Sequence, residues 1–139
     1  MRFAKGHGTE NDFVILLDPD GREGLTPALA ARLCDRRAGI GGDGVLRAVR
    51  TAAMTDAGGA EWFMDYRNSD GSLSEMCGNG VRVLGLYLAT HADVDLRNPL
   101  PIATRAGIKT LTFSGGQITV DMGAPEVKGS TWVSVGERR

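Results

Sequence analysis

Apolar positions recur along the chain with two spacings, one near two residues and one near three to four. Short runs at Arg2–His7 and Phe13–Leu17 predict two strands joined by the polar turn Gly8–Asp12. Asn11 then falls at a strand-to-strand corner, where its amide either closes an Asx turn or faces a ligand. Asp18–Gly24 reads as a loop from its Pro and Gly content. Thr26 supplies a cap ahead of Pro27, and a helix is expected over Ala28–Arg37, with Leu29, Leu33 and Cys34 on its apolar stripe. On this reading Cys34 is a small core residue, and Arg36 and Arg37 occupy the last turn, where cations suit the negative helix end.

The glycine run Gly39–Gly44 has the letters of a dinucleotide fingerprint in the wrong context. It follows a helix and precedes a strand, Val45–Val49, whereas the fingerprint needs the reverse order. A helix stop and tight turn is the reading kept. Thr51–Gly59 is expected to be an exposed loop, and Glu61–Arg67 a strand with Trp62, Met64 and Tyr66 on one face. The turn Asn68–Ser72 lacks the acidic spacing and closing glutamate of a calcium loop, and His7 and His91 sit in no ligand pattern, so no metal is expected.

From Val81 to Ala89 the chain is apolar nearly all round, with Arg82 the main exception, which is the pattern of a helix buried on every side. Three short strands follow at Leu100–Thr104, Ile108–Phe113 and Gln117–Met122, the last two joined by a hairpin turn at Ser114–Gly116. Strands before and after a buried helix predict an α+β domain in which a mostly antiparallel, barrel-like sheet wraps a central helix. One more apolar alternation, Trp132–Val135, closes the chain. The domain is expected to occupy residues 1–124, with 125–139 leading into something further.

Composition narrows the class. The chain has 139 residues, of which 42% are hydrophobic, enough for one ordinary core. Sixteen basic residues against seventeen acidic ones leave a formal charge of -1, so no basic footprint for nucleic acid or an anionic membrane is present. No apolar stretch approaches the roughly 20 residues of a membrane span. The N-terminus carries no secretory apolar segment, and a cytoplasmic location is expected. Two cysteines are too few for a disulfide framework in a reducing compartment.

The stretch Met64–Tyr87 concentrates the candidate chemistry. Cys77 stands before a Gly-Asn-Gly turn that opens the apolar helix, with Asn79 as the expected cap. A thiol at the positive end of a helix is expected to be the more reactive of the two. The amides of Gly78, Asn79 and Gly80 at the same end can hold a carboxylate. Reactive sulfur beside a carboxylate cradle points to chemistry at the α-carbon of an amino acid.

Three ordered blocks, Lys5–Phe13, Cys34–Gly44 and Asn68–Arg82, together with Val120–Pro125, resemble the N-terminal half of diaminopimelate epimerase. The resemblance covers essentially residues 1–125. It implies a cofactor-independent isomerase of two pseudo-symmetric halves, each a sheet around a helix, which converts LL- to meso-diaminopimelate for lysine and peptidoglycan precursors. It also implies that Cys77 is one of two catalytic cysteines, that Gly78 and Asn79 donate backbone N–H groups to the substrate carboxylate, and that Asn11 and Asn68 are substrate-binding amides. Gly44 departs from the pattern, since several members carry a substrate-contacting glutamine there. The second cysteine and a Glu-Arg pair belong to the other half of the family, and Glu137 and Arg138 lack the motif that surrounds that pair.

Two functions follow. One is an amino-acid epimerase of which this chain carries one cysteine, completed by a C-terminal half or a second chain. The other is a half-length relative that binds an amino acid or a partner without turning it over. A separate half is favoured over a homodimer, because the reacting centre has one α-carboxylate and two identical cradles would compete for it.

Overall fold

The computed structural model describes residues 1–54, 58–134 and 136. The elements run β1 (Phe3–Gly8), β2 (Asn11–Leu17), α1 (Pro27–Cys34), β3 (Gly44–Arg50), α2 (Thr51–Met54), β4 (Trp62–Asn68), α3 (Gly78–His91), β5 (Leu100–Thr104), β6 (Gly107–Ser114) and β7 (Gln117–Val120). All seven strands form one sheet in chain order. The pairs β2–β3 and β4–β5 are parallel, because α1 and α3 carry the chain across between them, and the other neighbours are antiparallel.

Alternation along the strands divides the core between two faces. Phe13 and Ile15 of β2 join Leu46, Met64, Ile102 and Leu111 in packing on Val81, Leu84 and Leu88 of α3. Val14 and Leu16 point the other way and, with Val45, pack on Ala30 and Cys34 of α1. This explains why β2 reads as an unbroken apolar run: both of its faces are covered. Trp62, Met64 and Tyr66 share the α3 face as expected. Their neighbour Asp65 faces the other side, where Arg47 reaches it at 2.9 Å and Asp18 at 3.0 Å, and Arg105 also pairs with Asp65. Each charge in this buried cluster therefore has an opposite partner.

The helix α3 lies against both edge strands, β1 and β7, so the sheet curls around it as a half-barrel. The expectation of a helix buried on every side is corrected, since Leu86 is 52% exposed and Val83 and Tyr87 are half-buried. Among the described residues β1 and β7 form no ladder with each other, and the face of α3 turned toward that seam stays open.

Other boundaries shifted for local reasons. Helix α1 stops at Cys34 rather than Arg37, because the Asp35 carboxylate accepts the amides of Arg37 and Ala38 at 2.8 Å each and starts a new turn. Arg36 and Arg37 thus lie beyond the helix. The chain at Thr51–Met54 is one helical turn and not loop, while Thr55–Ala57 lie outside the described residues. Strand β7 ends at Val120, two residues earlier than expected. Of the apolar alternation Trp132–Val135, Trp132 and Val133 are 101% and 79% exposed and form no strand. Val135, Glu137 and Arg138 lie outside the described residues. Among the described residues no helix is long and apolar enough to cross a membrane.

Candidate functional site

The site begins with the β1–β2 hairpin. Its two turn residues, Thr9 and Glu10, both have left-handed backbone, with φ of 52° and 67°. Such turns match the twist of the flanking strands, but non-glycine residues hold them at about 1–3 kcal/mol of strain each. The turn places Gly8 opposite Asn11 and lays both against the start of α3. A Cβ on Gly8 would stand 3.3 Å from the Asn79 Cβ, so glycine lets the hairpin come this close.

Helix α3 is capped by Cys77, not by Asn79 as expected. Cys77 has extended backbone (φ -144°, ψ 122°), and its sulfur accepts the Gly80 N–H at 3.4 Å. The first intrahelical bond runs from Val81 N–H to the Cys77 carbonyl at 2.9 Å. That leaves the Gly78 and Asn79 amides without an intrahelical acceptor, while the Gly80 amide, expected to be free, is taken by the sulfur. Cys77 is half-buried and Cys34 is 3% exposed, and both are free thiols. Burial pushes the Cys34 thiol up.

Asn11 meets this helix start. Its Oδ1 lies 3.6 Å from Cys77 Sγ and 3.4 Å from Asn79 Nδ2, while its Nδ2 donates to Asp43 Oδ2 at 2.7 Å. Four of the five residues singled out from sequence, Asn11, Cys77, Gly78 and Asn79, thus come together. Asn68 does not join them by a hydrogen bond. It closes the turn after β4, where its Nδ2 donates to Ser72 Oγ at 3.0 Å, and it sits in register with Gly44.

Asp43, Arg36, Arg82 and Tyr66 were not assigned to the site from the sequence. Asp43 lies in the glycine run and holds Asn11; it accepts the Asp12 N–H at 3.1 Å and Arg36 Nη2 at 3.0 Å. Arg36 also grips both oxygens of Asp12 at 2.7 and 3.1 Å, and Lys5 adds a third contact at 2.8 Å. The Arg36 guanidinium and then the Lys5 ammonium hold the Asp12 carboxyl well below the usual carboxylate range. Arg82 donates to Asn79 Oδ1 from one turn along α3. The last of these is Tyr66, which answers the departure at Gly44: a Cβ there would lie 2.6 Å from Tyr66 Cε2 and 2.6 Å from the Arg67 carbonyl. With Tyr66 in place, no glutamine fits. The ring stands edge-on to Phe13 at 5.9 Å, and burial pushes its phenol up. Arg36, Asp43 and Arg82 all fall inside the blocks of resemblance, and Arg82 was also the polar exception on its helix, so a signal existed for each.

The charged side of this cluster borders a shallow cleft of about 500 Å³ lined by Lys5, Gly6, His7, Glu10, Asp12 and Arg36. Half-buried Cys77 packs against the main core, and Met122, just past β7, lies near Gly78.

Comparison with known proteins gives a consistent result. The family model described as diaminopimelate epimerase matches residues 3–128. Among curated proteins, the diaminopimelate epimerase of Streptomyces coelicolor is 56% identical over 99% of this chain and 50% of its own length. That of Thermobifida fusca is 55% identical over 93% and 50%, and that of Corynebacterium glutamicum 50% identical over 91% and 48%. The chain therefore spans about half the length of the curated relatives it matches. Among solved structures, a phenazine biosynthesis protein of the PhzF family from Bacillus anthracis aligns with a TM-score of 0.58 at 20% identity, covering 85% of this chain and 38% of that one. That likeness is one of fold.

Proposed function

The chain belongs to the diaminopimelate epimerase family, and from that premise we propose that it supplies one wall of an amino-acid epimerase site. Cys77 serves as acid and base at the α-carbon, the Gly78 and Asn79 amides hold the α-carboxylate, and Asn11 and Asn68 contact the rest of the substrate. The substrate is diaminopimelate, as the names of the relatives suggest. The observation that carries this reading is the position of the Cys77 sulfur, which caps α3 beside two amides that have no intrahelical acceptor.

The chemistry runs as a paired proton exchange. A thiolate on one face takes the α-proton: the C–H bond breaks, an S–H bond forms, and the electron pair spreads into the carboxylate. The helix N–H groups offset the charge that builds there. A second thiol on the opposite face then gives its proton to the carbon, which inverts the centre and leaves the two sulfurs with exchanged protonation. One cysteine can exchange a proton but cannot deliver it to the other face. The second comes from the part of the relatives that this chain does not cover, and we favour that source over a second copy of Cys77. Residues 1–124 form the domain, and 125–139, with Val127 and Trp132 at 88% and 101% exposure, connect to the other half.

The test is deuterium uptake at the α-carbon of LL-diaminopimelate in heavy water, read beside formation of the meso isomer, with the chain alone and with a C-terminal half taken from the Streptomyces coelicolor relative. Inversion that needs both halves and is lost in Cys77→Ala is expected. Inversion by the chain alone would favour the homodimer. Amide shifts at Gly78–Gly80 on adding substrate, with no exchange even when the second half is present, would favour the binding-only relative.

A further inference from the structure

We propose that Asp43 and Arg82 are positioning residues that lock the two asparagine amides of the site in one orientation, so that Asn11 presents an acceptor oxygen to Cys77. The inference rests on the reading of Cys77 as the reacting group.

The argument uses only which groups can donate and which can accept. An ionised carboxylate accepts and never donates, and a guanidinium donates and never accepts. Asp43 Oδ2 lies 2.7 Å from one arm of the Asn11 amide, so that arm is the NH2 group and the carbonyl oxygen must face the other way. At the far end Arg82 contacts one arm of the Asn79 amide, so that arm is the oxygen, and Asn79 turns its NH2 toward Asn11 at 3.4 Å. The two ends impose the same polarity on the middle. Reversing Asn11 alone would set an oxygen against the Asp43 carboxylate and an NH2 against the Asn79 NH2. Reversing both would relieve the second clash but keep the first and set an NH2 against Arg82.

The ends are themselves held. Asp43 accepts Arg36 Nη2 at 3.0 Å and the Asp12 N–H at 3.1 Å, and its own N–H donates to the Asp12 carbonyl at 2.8 Å. The Asn79 oxygen takes a further contact from Thr9 Oγ1 at 3.4 Å. The consequence falls on sulfur. Cys77 Sγ accepts from Gly80 N–H on one side and has the Asn11 oxygen at 3.6 Å on the other, so its S–H bond is aimed at Asn11. A reversed Asn11 would aim an N–H at the sulfur and favour the thiolate instead.

The charged and titratable groups linked to the sulfur or to its two amides are Asp43 on the loop before β3, with Arg36 and Asp12 behind it, Arg82 on α3, and Tyr66 on β4, which lies near the thiol. Among these, Asp43 touches the Asn11 amide and Arg82 touches the Asn79 amide. The test is the pH profile of Cys77 alkylation by iodoacetamide, read by mass spectrometry beside the side-chain amide signals of Asn11 and Asn79. Asp43→Asn, which accepts either orientation, is expected to move the profile down by about one pH unit and raise the rate near neutral pH up to about tenfold. Asp43→Glu, which keeps the carboxylate, is expected to restore much of the wild-type profile. A purely structural role would not separate the two. If Asp43→Asn does not fold, Arg82→Met decides through the side-chain amide signals, those of Asn79 expected to move while those of Asn11, still held by Asp43, do not, and Arg82→Gln, still a donor, stays close to wild type. Superposable profiles for folded Asp43→Asn and wild type, or unmoved Asn79 amide signals in Arg82→Met where Asp43→Asn fails to fold, would overturn the proposal. So would equal shifts in Asp43→Asn and Asp43→Glu. None of these readouts uses substrate, so they stand apart from the fate of the epimerase reading.

Discussion

On the proposed function Cys77 has two separable jobs, and replacing it with serine or alanine should pull them apart. The sulfur caps a helix of 14 residues whose Val81, Leu84 and Leu88 are fully buried in the main core. Losing a side-chain cap costs about 0.5–2 kcal/mol, with ~1 typical. Cys77→Ala removes the acceptor for Gly80 N–H and the contact to Asn11, so about 1 kcal/mol is expected. With a urea slope of ~2 kcal/mol/M, that lowers the unfolding midpoint by about 0.5 M. Serine is a favoured cap, and its shorter bond brings a harder acceptor to the same amide. Cys77→Ser should therefore hold wild-type stability while losing proton exchange as completely as alanine does. Unfolding can be followed by far-UV circular dichroism, with the fluorescence of buried Trp62 as a second signal against fully exposed Trp132. If serine proves as destabilised as alanine, the sulfur is not the cap that its geometry implies. If serine retains α-proton exchange in the complete site, the sulfur is not the acid and base.

Further outcomes follow from the same geometry. Iodoacetamide should label Cys77 and spare Cys34, because Cys34 is 3% exposed and burial pushes its thiol up; mass mapping that finds Cys34 modified first in the folded chain would refute this. Asp65→Ala should cost about 3 kcal/mol, the low end for a broken buried ion pair, because partly exposed Arg105 can turn to water while Arg47 keeps Asp18; a loss below about 1 kcal/mol in urea unfolding would contradict it. The folded-state value of Asp12 is depressed, chiefly by Arg36 and then Lys5, so its contribution is present above the ordinary carboxylate range near ~3.9 and disappears as pH falls through the lower folded value. A carboxyl titration by NMR should find the Asp12 midpoint below that of free aspartate, and an ordinary midpoint would remove Arg36 and Lys5 as its partners.

The elements were legible in the sequence wherever a residue's neighbours along the chain decide its state. The strand at Phe13, the Thr26 and Pro27 helix start, the alternation of Trp62, Met64 and Tyr66 and the glycine turn before β7 each depend on periods of two to four residues or on local backbone preference. A helix start beside Cys77 was legible for the same reason, since it is a local event, although the cap proved to be Cys77 and not Asn79. Tertiary structure decided whatever depends on which distant segment arrives. Leu86 looks as apolar as Leu84, yet one meets the sheet and the other the open seam, because the strand edges on either side of α3 do not join. Arg36 left its helix because Asp35 captured two amides ahead of it, and Asp12 and Asp43 then took up the freed guanidinium. The contacts of Asn11 with Asp43 and with Cys77 span 32 and 66 positions of sequence. No periodicity reaches across such separations, and only the folded β1–β2 hairpin lying on the start of α3 brings those atoms together.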